Sequence, residues 1–345
     1  MTVAHSTSGR FRSRGRGLAT LAVLALVVLL VAPWWGRVPI DPLRGLAELW
    51  SGDPGTDGRI VALRLPRIVA GFVAGAMLAA AGAGFQTLLR NALATPYTLG
   101  ISFAGAFGAF LALSVPALSV GVGPLSTVTV FALAFSLVNV LTPERLARRS
   151  SGLGAHELLL AGVTLNFVFG AAILLVRFLS DPLRLRAMDR WMMGGLQIGA
   201  WGELAALPLL VIPALLVILR AAPALDQLAL GEELAAARGV DVARTQRRVL
   251  VAGSLGTAAV VAVTGPIGFV GLLAPHAVRA LLGAGHRALL PGSMLLGGTF
   301  LVVADGVTRS ITLLGRGSEL PVGVLTALLG GPAFLVLLLR HRTRP

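Results

Sequence analysis

The segment AAPALDQLALGEELAAARGVDVARTQRR, residues 221–248, is the longest polar interruption in an otherwise apolar chain. It carries a short amphipathic helical pattern that stops at Gly239, and it lies between apolar runs at 201–219 and 249–265. A transmembrane helix needs about 17 to 25 predominantly apolar residues, so each of these runs is long enough to cross a bilayer. We therefore interpret residues 221–248 as a loop on one face of a membrane, joining two spans.

The rest of the chain follows the same pattern. Of its 345 residues, 56% are hydrophobic and the mean hydropathy is +0.85, whereas soluble domains are typically about half apolar or less. This composition predicts an all-α polytopic membrane protein with about ten transmembrane helices, or nine if the short eighth run does not cross. We expect one transmembrane domain at 18–340, with tails at 1–17 and 341–345. The runs lie near 18–35, 63–86, 97–115, 121–141, 157–178, 201–219, 249–265, 269–283, 290–311 and 322–339.

The distribution of arginine predicts the orientation. Arginines are concentrated in the loop at 143–156, in 221–248 and at 340–345. Because positively charged loops stay on the cytoplasmic side, we expect both termini to be cytoplasmic. All five tryptophans lie at or beyond the opposite ends of the spans, as in an interfacial belt. Pro33 follows the first run where a signal peptide would have a small-residue cleavage site, so that run is expected to remain as a span.

Glycine and proline predict how the helices pack and where they break. The chain contains 43 glycines, many of them within the runs, and small residues let helices approach closely in lipid. Pro96, Pro266 and Pro275 stand beside such glycines and predict helix breaks. Breaks at membrane depth are tolerated only where neighbouring protein or a water-filled path satisfies the freed backbone groups.

The composition also excludes several kinds of site. All 29 basic residues are arginine, and a Walker A loop needs a lysine on the nucleotide phosphates. This chain therefore has no P-loop, and any P-loop ATP hydrolysis must come from a partner chain. The absence of cysteine excludes disulfides and thiolate metal ligands. The net charge of +14 is explained by the arginine-rich loops, so no nucleic-acid partner is predicted.

Few residues within the spans suggest chemistry. Asp305 is the clearest intramembrane carboxylate, and Arg309 follows four residues later, at a spacing that allows an ion pair on a helix. A structural ion pair and a proton relay both fit Asp305, so a proton-coupled secondary transporter remains an alternative. The five histidines show no metal-ligand spacing, and no nucleophile is paired with a base. The sequence therefore predicts a carrier or channel component rather than an enzyme.

Five strings carry a resemblance to a known family. They are LRLPRIVAGFVAGAMLAAAGAGFQTLLRNALATPYTLGISFAGA (63–106), RWMMGGL (190–196), LALGEELAAARGV (228–240), TGPIGFVGLLAPHAVR (264–279) and ELPVGVLTALLGGP (319–332). In this order they resemble the FecCD family of ABC importer permeases, which includes the iron-siderophore and vitamin B12 permeases. The resemblance covers the chain from about residue 20 to residue 340.

This resemblance implies a type II ABC importer permease fold in a bacterial cytoplasmic membrane. The partners it implies are a second permease copy or paralogue, two cytoplasmic ABC ATPase subunits, an extracytoplasmic solute-binding protein and membrane lipid. No cofactor is expected on this chain, because ATP and Mg²⁺ would reside on the ATPase. The implied function is inward transport of a metal chelate by alternating access. A ferric siderophore is the first expectation, and vitamin B12 or haem is the alternative.

The resemblance also implies roles for individual residues. Arg64, Arg67 and Arg309 would dock the binding protein. The segment 221–248 would couple to the ATPase, with Leu228, Leu230 and Leu234 offered to a groove of that partner. Leu230, Gly231, Glu232, Ala235 and Gly239 stand at positions that the family shares, and Leu228 completes the predicted coupling set.

Two cytoplasmic gate turns are implied as well. One contains Asn91 and Leu93, and the other contains Gly154, Ala155 and His156. Both depart from the family pattern. Alanine stands at position 92 where the family has proline, which should loosen that turn. The second turn carries a histidine where the family has a small hydroxyl residue.

Overall fold

The computed structural model describes residues 4–51, 55–115, 125–149, 155–196, 198, 201–311 and 319–342. Within these ranges the chain forms fourteen α-helices and two short 3₁₀ turns, Ala32–Trp34 and Pro96–Leu99. The helices are α1 Ala4–Val31, α2 Pro42–Ser51, α3 Thr56–Leu88, α4 Ile101–Ser114, α5 Thr127–Arg149, α6 Ala155–Phe178, α7 Pro182–Met192, α8 Trp201–Arg220, α9 Ala222–Leu228, α10 Glu232–Ala237, α11 Val242–Thr264, α12 Val270–Leu282, α13 His286–Ser310 and α14 Val322–Arg342.

Ten of these helices correspond to the ten predicted runs. Five segments, in α1, α3, α6, α11 and α13, are long and apolar enough to cross a membrane. A sixth span is possible if α8 and α9, which are bent by 53° at their junction, count together. The helices α4, α5, α12 and α14 contain shorter apolar segments. The prediction of an all-α polytopic membrane protein is therefore confirmed, and each of the ten predicted runs forms a helix.

Helix α3 lies at the centre of the bundle, against α8, α11, α12 and α13. It can do so because its buried face consists mainly of alanine and glycine. A Cβ at Gly75 would lie 2.2 Å from the carbonyl oxygen of Gly297, and one at Gly82 would lie 1.9 Å from that of Gly271. No larger residue fits at either contact, so the helices meet backbone to backbone, as expected for helices packed in lipid.

The break between α11 and α12 is the clearest irregularity at membrane depth. The Tyr97 hydroxyl accepts the Ile267 N–H at 2.7 Å and donates to the Ile267 carbonyl. Phe269 adopts a left-handed φ of 67°, and its ring contacts Gly330 of α14. The break predicted at Pro266 is therefore confirmed, and neighbouring protein satisfies its backbone.

The break predicted at Pro275 is wrong, because α12 continues through this residue. A proline inside a helix leaves the carbonyl four residues earlier without its helical donor. Here that carbonyl belongs to Gly271, and it accepts the side-chain amide of Gln86 at 3.3 Å. Helix α3 thus supplies the missing hydrogen bond, and the helix is not interrupted. The break predicted at Pro96, by contrast, is confirmed, because a 3₁₀ turn begins at this residue.

The bundle has two distinct ends. At one end α9 contacts the start of α13, and Gly17 of α1 meets Leu282 of α12. This is the cytoplasmic end by the arginine distribution. The short helices α2 and α7 lie toward the other end. There Glu48 of α2 accepts the Gly58 N–H at the start of α3 at 2.8 Å, and it also binds Arg44.

Candidate functional site

Three charged residues form a buried cluster at the outer end of α3 and α13. Asp305, which is only 1% exposed, lies 2.8 Å from the Arg67 guanidinium and 3.0 Å from Arg309 Nε. The ion pair predicted from the spacing of Asp305 and Arg309 is therefore present. Arg67 is a second partner that local spacing could not reveal, because it lies 238 residues away in the chain.

The three arginines implied for docking share one wall but differ in their contacts. Arg67 also binds Glu319 at 2.8 Å. Arg64 is 9% exposed and donates to the carbonyls of Pro33 at 2.8 Å and Val38 at 3.1 Å. No carboxylate among the described residues pairs with it. These arginines are thus mostly buried and partly engaged within the chain, rather than held out as free surface charges.

Arg309 is 5% exposed and has spare hydrogen-bonding capacity. Its Nη2 lies 3.5 Å from the Ala32 carbonyl, at the limit of a hydrogen bond. Its Nη1 has no hydrogen-bond partner in the described part of the chain. Leaving a buried charged donor without a partner is costly, so this atom marks a place where a further acceptor would be favourable.

A cavity of about 950 Å³ opens beside this cluster. Six arginines and two carboxylates face it, together with an apolar wall that includes Leu63, Met193 and Leu196. Sequence reasoning gave no role to the two cavity arginines of α7, although their spacing of four residues on one helix face was a usable signal. The charged lining residues are Arg37, Arg64, Arg67, Arg186, Arg190, Arg309, Asp189 and Glu319.

At the cytoplasmic end, the predicted coupling loop forms α9 and α10. The expectation that Leu228 is offered to a partner is wrong, because it is 3% exposed and belongs to the hydrophobic core. Ala235 is also fully buried. Leu230 and Leu234 do face outward, with 61% and 42% of their surface exposed. The inner residues anchor the loop, and these two leucines form its uncovered apolar surface.

Two glycines fix the shape of this loop. Gly231 has a φ of 133° and Gly239 a φ of 83°, and residues with a side chain rarely adopt either value. Gly231 separates α9 from α10, and Gly239 ends α10. Glu232 begins α10, and its side chain accepts the amide of Gln246 at 3.2 Å. The left-handed backbone at both positions therefore explains why glycine stands there.

A polar junction missed by sequence reasoning ties α9 to the bundle. Asp226 Oδ1 accepts the backbone N–H of His286 at 2.7 Å and lies 2.8 Å from its Nδ1. The other ring nitrogen of His286 lies 2.7 Å from the hydroxyl of Thr87 at the end of α3. Asp226 therefore links α9 directly to α13 and, through the ring of His286, to α3. Asp226 and His286 are 60 residues apart, so only the fold brings them together.

The first predicted gate turn is well formed. The Asn91 side chain accepts the Leu93 N–H at 2.9 Å, and the Ala94 N–H donates to the Asn91 carbonyl at 3.0 Å. These bonds close the turn without the family's proline. Of the second turn, Gly154 lies outside the described residues. Helix α6 begins at Ala155, and the side chains of Ala155 and His156 also lie outside the described part.

Comparison with known proteins gives consistent matches. The model of the FecCD transport family matches residues 23–340. A cobalamin import system permease protein of Halobacterium salinarum is 40% identical over 315 residues, covering 90% of this chain and 81% of the relative. A hemin transport system permease protein of Yersinia pestis is 39% identical over 280 residues, covering 81% and 83%.

One solved structure is similar over nearly the whole fold. It is described as an inward-facing conformation of a metal-chelate type ABC transporter. The TM-score is 0.81 at 29% sequence identity, covering 94% of this chain and 98% of that one.

Proposed function

The chain belongs to the FecCD transport family, and on this premise we propose that it is a permease subunit that carries a metal chelate into the cell, driven by ATP hydrolysis on partner chains. It would lie in the bacterial cytoplasmic membrane and pair with a second copy or a paralogue. A ferric siderophore is one candidate cargo. Cobalamin and haem are equally open, because relatives that match this chain are named for them.

The observation that carries the proposal is the construction of the coupling segment. Leu230, in the link between α9 and α10, and Leu234 of α10 are exposed, while Leu228 and Asp226 hold the segment to the bundle. A short apolar surface of this kind can seat in a groove of another protein. A rigid anchor then passes the partner's movement into α3 and α13. An ATPase seated here would supply the nucleotide chemistry that this lysine-free chain lacks.

The outer end supports docking of a solute-binding protein. Glu319, which is 47% exposed, lines the outer cavity together with Arg64, Arg67 and Arg309. Charged groups at a rim favour orientation and encounter rate more than affinity, which suits a partner that must leave in each cycle. We propose that carboxylates of the binding protein exchange with the internal partners of Arg67 and Arg309.

The test is uptake in reconstituted vesicles that contain the permease, the ATPase and the binding protein. Leu230→Glu should place a charge on the apolar coupling surface and reduce chelate transported per ATP hydrolysed by about tenfold or more. Leu43→Glu is the matched control, because Leu43 is 81% exposed on α2 at the opposite end. It should transport normally.

Two results would contradict the proposal. One is uptake that persists without the ATPase and follows a pH gradient, as a secondary transporter would show. The other is equal coupling in the two leucine variants, which would mean that the ATPase does not use this surface. Binding-protein docking is measured in parallel and should be unchanged in both variants.

A further inference from the structure

We propose that the 950 Å³ outer cavity is a binding site for an organic metal chelate with net negative charge, and that Arg186 and Arg190 of α7 are its principal contacts. The inference rests on the proposed transport function and narrows the cargo to one chemical class. Carboxylate-bearing or catecholate-bearing chelates fit this class. Neutral and cationic chelates do not.

The first step is the imbalance of charge. Of the carboxylates at the cavity, Glu319 binds Arg67 and Asp189 binds Arg177, which lies outside the lining. Asp305 lies beneath the wall and is shared by two arginines. All three carboxylates are therefore already engaged. The excess of guanidinium groups attracts anions into the cavity.

The second step concerns the arginines that remain free. Arg37, Arg186 and Arg190 face the cavity, and no hydrogen bond or ion pair joins them to another described residue. Arg186 and Arg190 are four residues apart on α7, so they project from the same face of the helix. Arginine is suited to this task, because its planar fork binds a carboxylate through two parallel hydrogen bonds and its charge attracts other anionic oxygens.

The third step is the buried wall of the site. Arg309 lines the cavity, is 5% exposed, and its Nη1 has no hydrogen-bond partner among the described residues. A desolvated guanidinium with a free N–H favours an acceptor that arrives with the ligand. This observation is independent of the exposed arginines of α7. Arg309 therefore adds a fixed positive charge, with one hydrogen bond unmade, to the wall that a ligand would face.

The fourth step separates an organic chelate from an inorganic anion. A volume of 950 Å³ is near the upper end of small-molecule pockets, which span about 300 to 1,000 Å³. The apolar wall, formed by Ile60, Leu63, Met193, Leu196 and Pro321, would not contact a small hydrated ion. A large ligand with an aromatic or aliphatic framework and peripheral negative charge matches both parts of the lining.

The position of α7 is fixed independently of any ligand. Met188 is completely buried beneath the helix, and Asp189 is held by Arg177 of α6. The two free arginines are therefore carried on a supported helix rather than on a mobile loop. Such preorganisation reduces the entropic cost of binding.

The same guanidinium groups could instead receive carboxylates of the binding protein, so the test separates these two sources. The permease is purified in nanodiscs of zwitterionic lipid, without ATPase or binding protein. It is titrated calorimetrically with a hexadentate tris-catecholate iron(III) chelate of net charge −3, and with the matching neutral tris-hydroxamate iron(III) chelate. The cognate binding protein is titrated separately.

We expect saturable binding of the tris-catecholate chelate, at least tenfold tighter than that of the neutral chelate and weakened by salt. The double variant Arg186→Gln/Arg190→Gln should weaken it at least tenfold. Arg184→Gln is the matched control on the same helix, since Arg184 pairs with Asp181 and does not line the cavity. It should change the affinity less than twofold. All variants are checked for monodispersity and for unchanged resistance to unfolding.

Three results would overturn the inference: no saturable binding of the anionic chelate, equal affinity for both chelates, or no effect of the double variant. If the double variant loses binding-protein docking but still binds the anionic chelate, Arg186 and Arg190 belong to the docking site for the protein partner, and the inference fails. ATP-driven uptake in vesicles reports separately on the proposed function. Uptake without charge preference would refute the chelate class and leave the importer assignment standing.

Discussion

Replacing Asp305 with asparagine should destabilise the protein far more than breaking a comparable pair on its surface. The variant keeps the size of the side chain but removes the charge between Arg67 and Arg309. Arg67 retains Glu319, whereas Arg309 loses its carboxylate while only 5% exposed. Removing one partner of a buried ion pair costs about 3 to 5 kcal/mol, because an uncompensated charge remains. We expect a loss of this size in the free energy of unfolding.

The chain contains a well-matched control. Arg44 and Glu48 are also four residues apart on a helix, at 2.9 Å, but the Arg44 side chain is 70% exposed. Exposed pairs of this kind contribute little to stability. Arg44→Gln should therefore have a far smaller effect than Asp305→Asn. Both variants are unfolded by SDS titration from detergent micelles, with far-UV circular dichroism as the readout.

Either of two outcomes would refute this reasoning. If Asp305→Asn costs less than about 1 kcal/mol, the two arginines are not held by the buried carboxylate in the way the distances indicate. If the variant is as stable as the parent but loses uptake driven by a pH gradient in ATPase-free vesicles, Asp305 is a proton relay. The second outcome would also revive the secondary-transporter alternative.

Three further predictions concern other parts of the bundle. Asp226→Ala removes the hydrogen bonds that tie α9 to α13, so it should cost about 2 to 3 kcal/mol and lower transport per ATP hydrolysed. Asp241→Ala removes a helix cap of α11 and should cost about 1 kcal/mol, less than Asp226→Ala. Gly82→Ala should lower the free energy of unfolding, measured by SDS titration, by about 3 kcal/mol or more, because the added Cβ meets a backbone carbonyl. Gly15→Ala is the control, because a Cβ there meets no other atom. A backbone N–H at the start of α3, and then an arginine, hold the pKa of Glu48 below its usual value. The contact between α2 and α3 should therefore be intact above pH 4.5 and should be lost as the pH falls through the lowered pKa of Glu48. Hydrogen exchange of the backbone amides at the start of α3 measures this loss. Glu48→Gln should make the exchange there independent of pH in this range, once the intrinsic pH dependence of exchange is corrected for.

The sequence was most informative where the deciding interactions are local. Apolar runs located the ten main helices, and the four-residue spacing located the pair between Asp305 and Arg309. Arg67 joins the same carboxylate from 238 residues away, and only the packing of α3 on α13 reveals it. Local rules also failed at Pro275, because a side chain of α3 supplies the hydrogen bond that the proline removes.

The coupling segment shows a second limit. Its leucines are spaced so that some face the bundle and others face away, and the sequence pattern does not say which side is which. Leu228 was expected on the outer side but is buried, whereas Leu230 is exposed. The cavity arginines of α7 were missed for a related reason. Their significance depends on which carboxylates elsewhere in the chain are already engaged.

The tight packing of α3 on α13 also has a consequence for biogenesis. Arg67 is synthesised 238 residues before Asp305, which at about 5 to 20 residues per second corresponds to roughly 10 to 50 s. During that interval we expect α3 to lack its neighbour α13, and Arg67 to lack the carboxylate of Asp305. Its guanidinium reaches the aqueous interface by extending the side chain. We therefore expect α3 to reach its final depth only after α13 has been made, so that the last third of the chain completes the packing of the first.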